Sequence, residues 1–286
     1  MIHLSFSQYN IWKTCPFQWK LLYIDKIKIP SASIDLVFGS SLHHVLQEYL
    51  DTFYKLTEKK ANELDLEKSL LDSMVKEIEE YRKKGIEDFT TPEELIEYYI
   101  DGIEIIHWFK KHRADYFSKK NIKMIGYEVP IDIEILPGVK FIAKLDFVTE
   151  DKRDNNYVIV DFKKSYRGWG ANKKANKMVQ AQLQLYKHFF SEVKKIVPAN
   201  VNILFLIFKQ KLYKDSLYPQ KRVQKFEPSS GKNTLIKVKN EFMEFAKRVT
   251  KDGDYNANIE YSANPSDFNC KYCPFKNKKE LCPVGV

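Results

Sequence analysis

Between residues 123 and 162 the spacing of apolar side chains switches from the helical to the strand period, and this switch limits the fold more than any other feature. Lys123 to Ile135, Val139 to Thr149 and Tyr157 to Phe162 are rich in Val, Ile and Phe. They are separated by Pro137-Gly138 and Asp154-Asn155-Asn156, both turn signals, so a three-stranded meander is predicted. Everything before it reads as helical. Residues 5 to 23 carry Ile11, Trp12, Cys15, Trp19 and Leu22 at helical spacing, with Ser5 and Ser7 as N-caps and a break at Pro16. Leu36 to Leu56, Leu66 to Lys84 and Pro92 to Lys119 continue the pattern. After the meander, Lys174 to Val197 is helical again and the near-continuous apolar run Asn200 to Phe208 suits a strand buried on both faces. Lys221 to Phe226 offers one more strand and Thr234 to Thr250 a closing helix. Strand-helix-strand at the centre with helices in front predicts an α/β core with a helical annex. We expect a single domain over 1–286: a helical region (1–120), an α/β core (121–250) and a cysteine-rich tail (251–286).

Composition narrows the class. With 44% hydrophobic and 30% charged residues the chain has the make-up of an ordinary folded protein, which excludes disorder and a collagen-like repeat. The apolar run Ile203 to Phe208 is far short of the roughly 20 residues that span a bilayer, and the start lacks a basic-then-apolar leader. A soluble cytoplasmic protein, with no membrane partner, is expected. In the cytosol thiols stay reduced, so Cys15, Cys270, Cys273 and Cys282 read as metal ligands, a redox pair or buried filler before disulfides.

Three groups of residues carry chemistry. Asp146 follows the apolar stretch that starts at Phe141, and Asp161-Phe162-Lys163 follows Tyr157 to Val160, which places both acids at strand ends. Alternation along a strand puts Asp161 and Lys163 on one face and Phe162 on the other. Two carboxylates from neighbouring strands beside an ammonium are the groups needed to hold a hard divalent cation and orient a water for attack on a phosphodiester. An acid-x-Lys pair alone is more often a surface salt bridge. His43, in the element Gly39 to His43, is a competent partner for such a site, although a lone helical His is usually a packed or surface residue. Glu128 is a further carboxylate that could face it. Gln182 and Tyr186, four apart, share one helix face.

In this order the motifs resemble the RecB-like branch of the PD-(D/E)xK nuclease superfamily: the opening helix pair, Gly39-x-x-x-His43, Asp146, Asp161-x-Lys163, Gln182-x-x-x-Tyr186 and the terminal cysteines. The chain departs from the family at Ala143, where a glycine often precedes the first acid, and at Lys164, where threonine commonly follows the lysine. The resemblance implies a restriction-endonuclease-like core with a mixed central sheet. It implies His43, Asp146 and Asp161 as side-chain ligands of Mg²⁺ or Mn²⁺, with the Phe162 carbonyl as a further ligand. Lys163 would orient the attacking water, and Gln182 and Tyr186 would support the site. Cys15 and Cys270-x-x-Cys273-x8-Cys282 are similar to the iron-sulfur staple of AddB-type and CRISPR-adaptation nucleases, in which a 4Fe-4S cluster ties the first helices to the tail. By chemistry alone four thiolates suit either that cluster or a structural Zn²⁺, with the cluster preferred on the resemblance.

The excess of 47 Lys plus Arg over 38 Asp plus Glu, a net charge of +9, permits nucleic-acid binding without specifying it. Directly after the acidic strand, residues 163–177 combine lysines and glycines with Tyr166, Arg167 and Trp169. Such a loop suits a single strand, with phosphates neutralised by Lys173 and Lys174 and bases stacked on Tyr166 or Trp169; Lys209, Lys211, Lys214 and the run from Lys221 to Lys225 would extend the track. No complete phosphate loop occurs, so helicase activity is not expected. The expected activity is metal-dependent hydrolysis of DNA, as an exonuclease on single strands or ends. The resemblance suggests 5′ to 3′ polarity, roles in recombination, repair, phage replication or CRISPR adaptation, and helicase or adaptation partners. The competing reading is a catalytically silent DNA-binding subunit of a larger complex.

Overall fold

The computed structural model describes residues 1–286 as a central sheet between two helical layers. The chain opens with β1 (Ile2–Leu4), α1 (Phe6–Thr14) and α2 (Pro16–Tyr23). The annex follows: α3 (Ile34–Lys55), α4 (Glu58–Asn62), α5 (Leu66–Lys83) and α6 (Pro92–His112). Local rules explain these boundaries. Ser33 caps α3, and α6 starts with a capping box between Thr91 and Glu94 with Pro92 in its first turn. In α5, Leu66, Leu70, Met74 and Ile78 recur every fourth residue, and all four are buried.

The meander is β2 (Ile122–Leu136), β3 (Val139–Asp151) and β4 (Asn156–Ser165), joined by the predicted turns. A short α7 (Ala171–Ala175) and α8 (Lys177–Lys194) lead to β5 (Val201–Lys209), which lies parallel to β4 from Tyr157↔Val201 to Ser165↔Lys209. β6 (Val223–Phe226) closes that edge antiparallel, and α9 (Lys232–Val249) packs beside α8. The sheet is mixed, with order β1-β3-β4-β5-β6 and β2 on the other side of β3. This is the α/β core with a mixed central sheet that the resemblance implies. Two cores sandwich it. One joins the sheet to α1, α2, α8 and α9 through Tyr9, Trp19, Phe141, Phe189 and Phe242. The other joins its opposite face to the annex through Phe38, Tyr49, Phe109, Phe162 and Phe208. β5 feeds both, Phe205 and Ile207 to the first and Leu206 and Phe208 to the second, as its unbroken apolar run requires.

Two details differ from the sequence reading. β1 was not foreseen, since three residues are too few to show a period. It pairs parallel to Val139, Lys140 and Phe141. Asp146 and Asp161 also lie inside their strands rather than at strand ends. The reason is the register. β2 occupies one whole edge of β3, so β1 and β4 share the other edge, β1 at 139–141 and β4 at 147–151. The β3–β4 ladder stops at Phe147↔Val160, so the next pair in line, Asp146 and Asp161, stands where the strands part.

Candidate active site

At this fork the carboxylate of Asp146 replaces the missing ladder bond: its Oδ2 accepts the Phe162 backbone N–H at 2.8 Å. His43 comes from α3 in the annex and brings Nδ1 to 3.6 Å from the same oxygen, its ring edge-on to Phe162 at 5.9 Å. Gln47, one turn further along α3, donates from Nε2 to the Asp146 carbonyl at 3.4 Å. One turn before His43, a Cβ on Gly39 would meet nothing within 4 Å, so this helix face leaves space beside the imidazole.

Asp161 is 2% exposed. Lys163 Nζ lies 2.7 Å from the buried Asp161 Oδ2, which meets no other donor. From α8, Tyr186 faces the same charges, its hydroxyl accepting from Gln182 Nε2 at 3.1 Å. Thus His43, Asp146, Asp161, Lys163, Gln182 and Tyr186 come together from α3, β3, β4 and α8.

The electrostatics describe a site short of positive charge. Burial pushes the Asp146 carboxyl well above the usual carboxylate range, and the negative charge of Asp161 adds to this. Burial lowers the His43 pKa, which favours the neutral imidazole that a metal needs. Burial also pulls the Lys163 ammonium down, but Asp161 and Asp146 more than offset it and leave the pKa raised. Burial pushes the Tyr186 hydroxyl up to about 12, so it stays protonated as a donor. No three His, Cys, Asp or Glu side chains close into a finished metal cage. The donor set still fits a hard divalent cation. Two repelling carboxylates, one with a buried oxygen met only by the Lys163 ammonium, and a neutral imidazole are what such an ion would neutralise and join.

The sequence pattern of the PD-(D/E)XK nuclease superfamily matches residues 3–283, nearly the whole chain and every element of the fork. The chain belongs to the PD-(D/E)XK nuclease superfamily. Membership places its activity class as a metal-dependent nuclease, with Mg²⁺ or Mn²⁺ as the usual ion and nucleic acid as substrate. No curated protein matches the chain. No helix is long and apolar enough to cross a membrane.

Away from the fork, this superfamily member differs from several sequence expectations. Trp169 is buried against Phe205 and Phe226, at 5.0 and 6.2 Å between ring centroids, so its face is not offered to a base. The glycines around it had read as a flexible loop, but Gln224 holds both its N–H and its carbonyl. Lys173 and Lys174 sit on α7, their ammonium groups about 6 Å from the Trp169 and Phe226 ring centroids. Lys211 is not a free cation: Glu97 and Asp101 of α6 hold it, each at 2.8 Å. Arg222 is likewise buried and pairs with Glu104. Tyr166 is exposed, and Arg167 lies between its ring and that of Tyr213, at 5.3 and 4.9 Å. Glu128, by contrast, stands beside the fork, where its charge reaches His43 and Asp146; it is exposed, ion-paired to Lys144 at 2.8 Å, and has a left-handed backbone with φ of 50°. Sequence reasoning missed Gln47 and Tyr213. The four-residue spacing from His43 could have flagged Gln47, whereas nothing local marks Tyr213.

The two ends of the chain meet. Asn264 Nδ2 donates to the Thr14 carbonyl, Phe17 N–H to the Ser262 carbonyl, and Trp19 stacks on Tyr261 at 5.9 Å. Cys15, Cys270, Cys273 and Cys282 line one cavity there, together with Phe17, Leu21, Phe275 and Val284. Burial raises the pKa of Cys273, and the other three sulfurs lie near enough to add to the shift.

Proposed function

We propose that the chain is a deoxyribonuclease that hydrolyses single-stranded DNA or DNA ends as an exonuclease, with the 5′ to 3′ polarity that the family resemblance suggests. The observation that carries this reading is the sheet fork, where Asp146 and Asp161 meet His43 and Lys163 at the point where the β3–β4 ladder ends. His43, Asp146 and Asp161, with the Phe162 carbonyl, would hold Mg²⁺ or Mn²⁺. Such an ion supplies charge for the phosphate and a bound water of lowered pKa. Lys163 aligns the attacking water with its N–H groups and offsets the charge that develops on the phosphate. Tyr186, oriented by the Gln182 amide, donates its proton-bearing hydroxyl towards a non-bridging phosphate oxygen. Tyr166 and Arg167, with Lys173 and Lys174 on the adjacent α7, guide the strand to the fork.

The four thiols around one cavity support the reading of a 4Fe-4S cluster that would join the first helices to the tail, as in the iron-sulfur branch of the superfamily. In this reading the annex, core and tail act as one nuclease domain in the cytoplasm, in recombination, repair, phage replication or CRISPR adaptation, beside helicase or adaptation partners. The test is cleavage of end-labelled single- and double-stranded DNA with Mg²⁺ or Mn²⁺ by wild type and by Asp161→Ala and Lys163→Ala. Loss of cleavage in both variants is expected. Full activity in either would sink the assignment, and DNA binding without cleavage under any metal would favour the silent-subunit reading. Anaerobically purified protein with the cluster is brown and absorbs near about 400 nm, whereas a zinc protein is colourless.

A further inference from the structure

Beyond the acidic fork, the geometry points to a preformed base-stacking platform, Tyr166–Arg167–Tyr213, which selects unpaired DNA over duplex; this deepens the nuclease reading above and rests on it. The platform starts from the catalytic strand itself. Tyr166 directly follows β4, and its carbonyl accepts the Lys211 N–H at 2.8 Å, which extends the β4–β5 ladder past Ser165. Tyr166 is three positions on from Lys163, about 10 Å along an extended strand. The alternation that puts Lys163 on one face puts Lys164 and Tyr166 on the other. That face belongs to the annex: Lys164 pairs with Asp35 of α3, and Glu97 of α6 lines the cleft beside Tyr166 and Arg167. His43 reaches the fork from the same annex, so the seam between annex and sheet carries both the imidazole and the platform.

The platform is rigid at its base and open at its top. Lys211 is clamped to Glu97 and Asp101. Two residues on, the Tyr213 N–H donates to Gln220 Oε1 at 2.9 Å, and Gln220 Nε2 donates back to the Tyr213 carbonyl at 2.7 Å. These bonds tie the two arms of the loop between β5 and β6 and fix where Tyr213 stands. Tyr166 and Tyr213 remain 56% and 59% exposed, and both close partners of Arg167 are aromatic. A guanidinium between two exposed phenol rings offers π-faces and a phosphate-binding cation in one place. Stacking needs a base free of its own neighbours, so the ligand chemistry is single-stranded DNA rather than duplex.

The test is fluorescence anisotropy in chelator, so that binding is read without cleavage. The probes are labelled oligothymidylate, an abasic strand of equal length and charge, and a duplex of the same length. Wild type should prefer the base-bearing strand by about tenfold, the scale of one base–aromatic stack. Tyr213→Ala should reduce that preference to near unity and move duplex affinity less than about twofold, while Tyr213→Trp should keep the preference. Equal affinity of wild type for the two single strands, an unchanged preference in Tyr213→Ala, or its loss in Tyr213→Trp would overturn the platform. A separate cleavage assay keeps the readings apart. Base preference without cleavage under any metal sinks the nuclease assignment and leaves the platform standing; cleavage without base preference does the reverse.

Discussion

The sheet fork and the cysteine-lined seam bring distant residues together by opposite means. At the fork, β2 pairs with every residue of β3 except Asp146, and β5 pairs with β4 along its far edge, so Asp161 is held by a ladder on its outer side and Asp146 by paired neighbours before and after it. The gap between them is a product of register and needs no ligand to exist. The seam has no such frame. Its one helix, α10, is the four-residue Asp267–Cys270, the rest is turns, and its apolar cluster has only Leu21, Phe275 and Cys282 as buried members. A segment with so little buried apolar surface contributes little stability of its own, as in small units that need a metal or cross-link. The first region is thus organised by strand ladders, and the second by a few contacts between the two ends of the chain.

The largest expected effect breaks the fork chemically and spares it structurally. Asp161→Asn or Lys163→Ala should lower DNA cleavage by at least roughly 10²–10³, the loss seen when one preorganised electrostatic group is removed. The sign of the pH dependence follows from Asp146. Its folded pKa is raised, so its contribution to stability is complete below the ordinary carboxylate value of about 4 and fades as pH rises towards the raised value. Thermal melts of metal-free wild type should therefore show stability falling over that range, with a flatter profile in Asp146→Asn.

The seam should fail in the opposite way, structure first. Cys15→Ala and Cys282→Ala lie at the two ends of the chain, yet each opens the same cavity. Both should lose the absorbance near about 400 nm and about 3 kcal/mol of stability, the contribution of a ligand held well above its dissociation constant. Melting temperatures should fall by similar amounts, on the order of 5–10 °C for a chain of this size. A large drop in one variant and none in the other would mean that the two ends are not joined through a shared group.

What could be read in advance follows the same division. Alternation, turn dipeptides and unbroken apolar runs are local, so β2 to β5, α3 and α5 were legible within a few residues, whereas the short α4 was not and α6 ends seven residues earlier than its pattern suggested. Asp161-x-Lys163 was legible as chemistry for the same reason. The fork was not, because it depends on β1 and β4 dividing one edge of β3, and β1 is too short to announce itself. Loop composition misled at Trp169, whose flanking glycines suggested exposure while Phe205 and Phe226 bury it. Charge counting misled at Lys211 and Arg222, whose acidic partners lie on α6, far away in sequence.

A smaller effect sharpens the claim that the fork is preorganised. Tyr186→Phe removes the donor that faces Asp161 and Lys163 and should slow cleavage by about tenfold, one charge-assisted hydrogen bond. Gln182→Leu acts through the same hydroxyl, which its amide orients. The double variant should therefore be little worse than Tyr186→Phe alone, and a cycle of the four proteins measures the coupling. Fully additive losses would place Gln182 on the substrate independently of Tyr186.

The smallest effect tests the backbone at the rim. Glu128 stands beside the fork, between Tyr127↔Phe147 and Val129↔Leu145, with φ of 50°. A left-handed backbone costs an L-residue about 1 kcal/mol, and an exposed pair such as Glu128–Lys144 returns little of that. Glu128→Gly should thus raise the unfolding free energy by about 1 kcal/mol, and Glu128→Val, β-branched at the same φ, should lower it by at least as much. Urea titration of the two variants decides the matter. A loss of stability in Glu128→Gly would mean that the carboxylate holds the backbone in this conformation, so that the rim of the fork, like the seam, depends on a side-chain interaction rather than on strand register.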